Sequence, residues 1–331
     1  MRKHIILIII SIVLSSCSIV PIWNIAKLRE NPFESAIDLS REGHIIRQNV
    51  KDGALEVENI PISLTPGSLI SIPLITDVHV GRSDSGVEEL EYEAFLSFLE
   101  KGDYPFLINL GDLVDQGRFD NSDIIRFYSL VANKVNGNHI YVIGNHELHD
   151  ESPERFDTLL SAMHPGKETS RMARYTFGPL SIYKLDNSLG AFGKEQLEYL
   201  EETLSKDESE YKIFIAHVNV ATGRTGDHSF VITGMSDQRE VHRIMRLMDE
   251  YGVSLLLTGH HHKGNIEYHY TGSAGEFNAA SFHRRDTLMD FESKGYFYIL
   301  EIDTLKNEIR IVQYMSQSAQ KTGEVFTFPL S

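Results

Sequence analysis

Aspartate, asparagine and histidine recur in five short clusters. These are Asp77-Val78-His79, Gly111-Asp112-Leu113-Val114-Asp115, Gly144-Asn145-His146-Glu147, the single His217, and Gly259-His260-His261-His262. Their side chains offer carboxylate and carboxamide oxygens and imidazole nitrogens, and the sole cysteine, Cys17, lies far from all of them in sequence. Such donors suit Mn, Fe, Zn, Co or Ni; the histidines disfavour Ca and Mg, and the lack of thiolate disfavours Cu(I) and iron–sulfur clusters. Seven candidate ligands exceed what one closed tetrahedral ion takes. They match two ions sharing a bridging carboxylate, with a water or hydroxide left between them. Two cations about 4 Å apart lower the pKa of such a water and clamp the non-bridging oxygens of a phosphoryl group. In-line attack on phosphorus then needs no covalent enzyme intermediate. Amide or lactone hydrolysis, or oxygen chemistry, would use the same donors, and ligand type alone leaves these open.

Each cluster taken singly has a plain explanation. An Asp-x-His is commonly a solvent-facing loop, Gly-Asp an αβ turn, and Asn followed by Glu a helix cap and first turn. What argues against coincidence is position. The aliphatic runs Leu69 to Thr76, Tyr104 to Leu110, His139 to Ile143, Tyr211 to Ala216 and Val253 to Thr258 each end at one of the five clusters. Strands this apolar are covered on both faces, and ligands of α/β sheets gather beyond the C-terminal strand ends. Between the strands, Gly86 to Leu99, Asn121 to Val131, Lys194 to Leu204 and Gln238 to Tyr251 carry apolar residues at helical spacing. A short helix is expected near Pro32 to Leu39, then an edge strand or two before residue 60. Lys294 to Ile302 and Glu308 to Tyr314 read as a terminal hairpin. The pattern is that of an α/β core.

The chain has 331 residues, 41% of them apolar, which is material for one large domain or two small ones. No linker divides residues 61–331, so that span is expected to be one catalytic domain. Residues 1–16 read differently. Arg2, Lys3 and His4 precede the aliphatic Ile5 to Leu14, and Leu14-Ser15-Ser16-Cys17 follows. This resembles a signal peptide ending in a bacterial lipobox, so Cys17 is expected to be lipidated and residues 17–60 to begin as a tether; the alternative is a retained membrane anchor, or an ordinary signal peptide with an incidental cysteine. The expected location is the bacterial cell envelope, exported and lipid-anchored. A net charge of −16 argues against nucleic acid as a general partner.

The five clusters, in this order, resemble the calcineurin-like metallophosphoesterases, over roughly residues 69 to 315. The resemblance implies a four-layer α/β/β/α sandwich with two mixed β-sheets, of the metallo-dependent phosphatase type. It also implies roles: Asp77, His79 and His262 as ligands of one ion, Asn145, His217 and His260 of the other, and Asp112 as the bridge. His146 would contact the phosphate and protonate the leaving oxygen. Asp115 and Glu147 would orient His146 and the loops, and His261 would point away. Asp186-Asn187-Ser188 and the following Gly193-Lys194-Glu195-Gln196-Leu197 resemble the family's linker into the helix before the His217 strand. Purple acid phosphatases carry a tyrosine where this chain has Asp115. The phosphoprotein phosphatases carry arginines where it has Asp115 and Glu147. The clusters are closer to the bacterial phosphodiesterase-like branch, so the expected substrate is a small phosphodiester. Arg82, Arg224, His228 and Asn278 are the candidates for holding it. The alternatives are a phosphomonoesterase acting on a nucleotide or lipid head group, and a metal-retaining envelope lipoprotein without activity.

Overall fold

The computed structural model describes residues 33, 37–39, 44–51, 54–61, 69–80, 88–114, 131, 134–135, 139–148, 171–221, 235, 237–262, 264–270, 272, 274–283 and 294–331. All of these belong to one compact unit, Asn31–Ser331. The expected signal peptide, Cys17 and, apart from Val131 itself, the expected helix over Asn121 to Val131 lie outside the described residues.

In chain order the first elements are β1 (Ile37–Asp38), β2 (His44–Lys51), β3 (Ala54–Pro61), β4 (Leu69–Ile75), α1 (Glu88–Leu99), β5 (Leu107–Asn109) and β6 (His139–Tyr141). There follow β7 (Ala173–Phe177), β8 (Leu180–Lys184), α2 (Lys194–Leu204), β9 (Tyr211–Ile215), α3 (Gln238–Glu250) and β10 (Val253–Thr258). The last are β11 (Ile266–His269), β12 (Gly275–Asn278), β13 (Tyr296–Asp303), β14 (Glu308–Met315) and β15 (Lys321–Pro329).

Two mixed sheets carry the fold. One has seven strands in the order β1-β7-β8-β9-β10-β12-β11, the other six in the order β15-β14-β13-β4-β5-β6, and β2 and β3 form a separate hairpin. Alternation sorts side chains between faces. Ile70, Ile72 and Leu74 of β4, Ile213 and Ile215 of β9, and Leu255 and Leu257 of β10 share one buried cluster with residues of both sheets. On the other face of the six-stranded sheet, Ile75, Leu107 and Tyr141 pack with Phe95 and Leu99 of α1. Helices α2 and α3 bury Leu197, Leu200 and Leu204, and Val241, Ile244, Leu247 and Met248. Two mixed sheets flanked by helices are the sandwich that the family resemblance implied.

The differences from the sequence reading are local. The five cluster-bearing strands belong to two sheets, not to one open edge: β4, β5 and β6 to the six-stranded sheet, β9 and β10 to the seven-stranded one. Four of them stop short of the apolar run, because the chain leaves the ladder to form the ligand turns. Where a helix was expected near Pro32 to Leu39, Ile37–Asp38 instead pairs in parallel with Tyr175 and Thr176 at a sheet edge. Ladder bonds there outweigh a weak local preference. The β7–β8 and β11–β12 pairs and the terminal β15 were not foreseen.

Candidate metal centre

The turns that carry the clusters are bonded to one another along the backbone. Asp77 N donates to Gly111 O at 2.9 Å, His79 N to Asp112 O at 3.0 Å, Gly259 N to His217 O at 2.9 Å and Ser281 N to His262 O at 2.9 Å. Asp77, His79, Asp112, His260 and His262 all adopt left-handed backbone conformations, with φ between 49° and 70°. Side-chain-bearing residues rarely do so, and each costs about 1–3 kcal/mol unless the surroundings impose it. Glycine makes the crowding possible. A Cβ on Gly144 would collide with the Asp112 backbone N and Oδ1, and one on Gly259 with Thr76 Oγ1.

Two groups of ligand atoms result, each with its atoms within 4.8 Å of one another: Asp77, His79, Asp112 and His262 in one, Asp112, His217 and His260 in the other. Asp112 belongs to both. In the first group His79 Nε2 faces His262 Nε2 at 3.2 Å, and His262 Nε2 lies 3.0 Å from Asp77 Oδ1. In the second, His217 Nε2 lies 3.2 Å from Asp112 Oδ2 and 3.1 Å from Asn145 Oδ1. The two carboxylates each commit one oxygen to the protein. Asp77 Oδ2 accepts from Thr76 Oγ1 at 2.7 Å and His260 N at 2.9 Å, and Asp112 Oδ1 accepts from His146 N at 2.9 Å. Asp77 Oδ1, Asp112 Oδ2 and His260 Nδ1 are buried in no hydrogen-bond geometry with any partner. Buried acceptors left this way fit a cation. His217 Nδ1 donates to Leu110 O at 2.8 Å, which leaves Nε2 as the nitrogen that a metal would take in exchange for its proton.

The titration shifts agree with that fit. Burial would raise the carboxyls of Asp77 and Asp112, but His262 beside the first and His217 beside the second outweigh it, and both stay below the ordinary range. Burial pushes His217 down, yet Asp112 lifts it to about 9; burial and then the nearby His217 push His260 down to about 4. The centre therefore draws positive charge towards Asp112 even without an ion. Residues of this set could hold two metal ions, with Asp112 shared.

The family model for calcineurin-like phosphoesterases matches residues 70–264, the span that holds every one of these ligands. The chain belongs to that family. Among curated proteins, this calcineurin-like phosphoesterase is 28% identical over 156 residues to a probable cyclic nucleotide phosphodiesterase of Fibrobacter succinogenes. The match covers 45% of this chain and 57% of the relative, so it spans little more than half of that protein's length. Solved structures with a similar fold include a dimetal phosphatase from Danio rerio, with a TM-score of 0.53 and 13% identity, covering 81% of this chain and 100% of that one. Another is GAP50, the anchor in the inner membrane complex of Plasmodium, with a TM-score of 0.55 and 13% identity, covering 80% and 89%. At such identities the likeness shows the fold alone.

The other sequence candidates fall as follows. His146 stands at the edge of the calcineurin-like centre, its side chain 26% exposed, Nε2 3.8 Å from Asp112 Oδ2 and its ring edge-on to His79. Glu147 is buried, and its carboxylate accepts from Asp112 N, Leu113 N, Val114 N and Gly144 N. It orients the loops through their backbones. His261 belongs to neither ligand group. Asn278 is buried, and its Nδ2 donates to Thr258 Oγ1 and Gly259 O, so its amide nitrogen serves the His260 turn. Asp115, Arg82, Arg224 and His228 lie outside the described residues. Three supports went unread in the sequence: Thr76, Asn187 and Glu276. Asn187 Oδ1 accepts from His217 N and Val218 N, and its Nδ2 donates to Val218 O. Its only signal was a place in the linker motif. Glu276 gave none beyond an acidic residue in a short apolar run.

Proposed function

We propose that this chain is a dinuclear-metal phosphoesterase whose preferred substrates are small phosphodiesters. The observation that carries the reading is Asp112, which belongs to both ligand groups, its Oδ2 lying 3.9 Å from His79 Nε2 and 3.2 Å from His217 Nε2 while its Oδ1 is fixed by His146 N. The metals, when bound, would activate a water between them and neutralise the non-bridging phosphoryl oxygens. The chain's own groups do the rest. Asp77, His79 and His262 would hold one ion, and Asn145, His217 and His260 the other. Glu147 binds the Asp112 and Gly144 turns together and so fixes the distance between Asp112 and His146. His146, partly exposed beside Asp112 Oδ2, is placed to give a proton to the departing ester oxygen.

Preference for a diester is supported by the sequence at Asp115 and Glu147 and by the likeness to the probable cyclic nucleotide phosphodiesterase. Arg82, Arg224 and His228 are proposed to hold the phosphate or its substituents. We further propose a lipid on Cys17 and an envelope location, supported by the basic start, the aliphatic run and Leu14-Ser15-Ser16-Cys17. No helix among the described residues is long and apolar enough to cross a membrane. Replacing Cys17 by Ala should move the protein out of the membrane fraction; retention there contradicts lipidation.

The functional test is hydrolysis of bis(p-nitrophenyl) phosphate and p-nitrophenyl phosphate after loading with Mn, Fe, Zn, Co or Ni. The expected result is metal-dependent turnover, faster with the diester. Monoester turnover alone would overturn the diester preference. No turnover of either, in a chain that binds its metals, would favour a binding protein.

A further inference from the structure

The strongest buried feature not used so far is a carboxylate behind the second ligand group. Strand β12 runs parallel to β10, with Leu256 opposite Glu276 and Thr258 opposite Asn278. Phe277 points into the core between the sheets, so Glu276 and Asn278 share the opposite face. Glu276 is fully buried. Its Oε1 accepts from Val220 N at 2.9 Å and Thr258 Oγ1 at 3.0 Å. Its Oε2 accepts from Ala221 N at 2.6 Å and the Tyr270 hydroxyl at 2.5 Å. All four donors are neutral.

These bonds lead most directly to two ligands of one group, His217 and His260. Val220 and Ala221 end the turn that starts at His217. Thr258 is the last residue of β10 before Gly259 and His260, and Thr258 Oγ1 also accepts from Asn278 Nδ2, which reaches Gly259 O. Glu276, Thr258 and Asn278 thus form a relay that fixes the His217 and His260 turns to one strand. The first group has braces of its own, Asp77 by Thr76, His79 by the Asp112 carbonyl and His262 by Ser281, and touches the relay's turn through the bond from His260 N to Asp77 Oδ2. A buried carboxylate bonded only by neutral donors is costly for stability. Such departures from local rules concentrate at functional sites.

We infer that Glu276 is a positioning residue specific to the second metal site, acting through the His217 and His260 turns. The inference rests on the dinuclear reading above. Supports of this kind commonly change metal affinity about 10- to 100-fold.

The test is equilibrium titration of the metal-free full chain with manganese(II) chloride, in wild type and variants. Wild type should bind two ions. Glu276→Ala should weaken one of them about 10- to 100-fold and leave the other unchanged. Combined with His260→Ala, Glu276→Ala should cause little further loss; combined with His262→Ala, it should leave no tight site. Should Glu276→Ala fail to fold, Tyr270→Phe removes one donor and should weaken the same site several-fold. Glu276→Gln, which keeps an acceptor for Val220 and Thr258, should fall between Ala and wild type. Equal weakening of both sites, or of neither, overturns the inference while two ions in wild type keep the dinuclear reading intact. Fewer than two ions in wild type overturns that reading itself.

Discussion

His146 and His217 are neighbours of the same carboxylate oxygen but are held differently. His217 is fully buried, its Nδ1 bound to Leu110 O and its backbone N to Asn187, so ring and backbone are each held by a bond. His146 is fixed through its backbone N on Asp112 Oδ1, while its ring reaches the solvent edge. A ligand needs the first arrangement and a proton donor the second. His146→Ala should therefore lower kcat by about 10²–10⁴-fold with both ions still bound, as read by turnover and metal content together. Loss of an ion in that variant would make His146 a ligand instead. Ligand types and their order were legible in the sequence because donor chemistry is written in residue identity. The identity of the supporting residues was not. Asn187 and Glu276 act by hydrogen bonds whose partners lie up to 56 positions away, with no local spacing to mark them, and Thr76 bonds its neighbour Asp77 from what reads as an ordinary strand-end threonine.

At the scale of elements, the site depends on turns that leave the strands early and pass close to each other. Glu147 shows how tightly: one carboxylate satisfies four backbone N–H groups from two turns. Glu147→Ala would strand buried donors and should destabilise the fold by roughly 3–5 kcal/mol in denaturant titration. A loss under about 1 kcal/mol would mean that the turns hold without it. A separate element-level prediction concerns the tie between β8 and the segment after α2. The Tyr183 hydroxyl donates to Asp207 Oδ2 at 2.6 Å. Burial would raise the Asp207 carboxyl, but Tyr183 and then Ser209 outweigh it and hold it below the ordinary value. The folded value being the lower one, this contribution is present above pH about 3.9 and is lost as pH falls through the depressed value. Tyr183→Phe should cost about 1 kcal/mol at neutral pH, and the gap to wild type should narrow below pH about 4. A gap that widens in acid would contradict the assignment. The extents of α2 and β10 could be read directly because apolar periodicity covers their full length. The β7–β8 and β11–β12 pairs could not: β8 and β12 are short and wholly buried, β7 and β11 alternate only weakly, and all four meet partners set by the tertiary fold.

Over the whole molecule, the centre lies where the two sheets meet. Asp77, His79, Asp112 and Asn145 follow strands of the six-stranded sheet, and His217, His260 and His262 follow strands of the seven-stranded one. Each ligand group draws on both, so bound ions link the two halves of the core. Ions at about 100 times their dissociation constant should add about 2.7 kcal/mol of stability for each site, and a chelator should lower Tm correspondingly. An unchanged Tm on chelation would place the ligands' contribution elsewhere. Residue patterns alone gave an α/β core with ligands at strand ends; the two-sheet division came only with the family resemblance, since strand order does not state which sheet a strand joins. Electron paramagnetic resonance of the manganese-loaded protein tests the shared carboxylate most directly. Wild type should show an exchange-coupled pair, and Asp112→Ala should lose it. Isolated ions in wild type, or an intact coupled pair in Asp112→Ala, would contradict a centre bridged by Asp112.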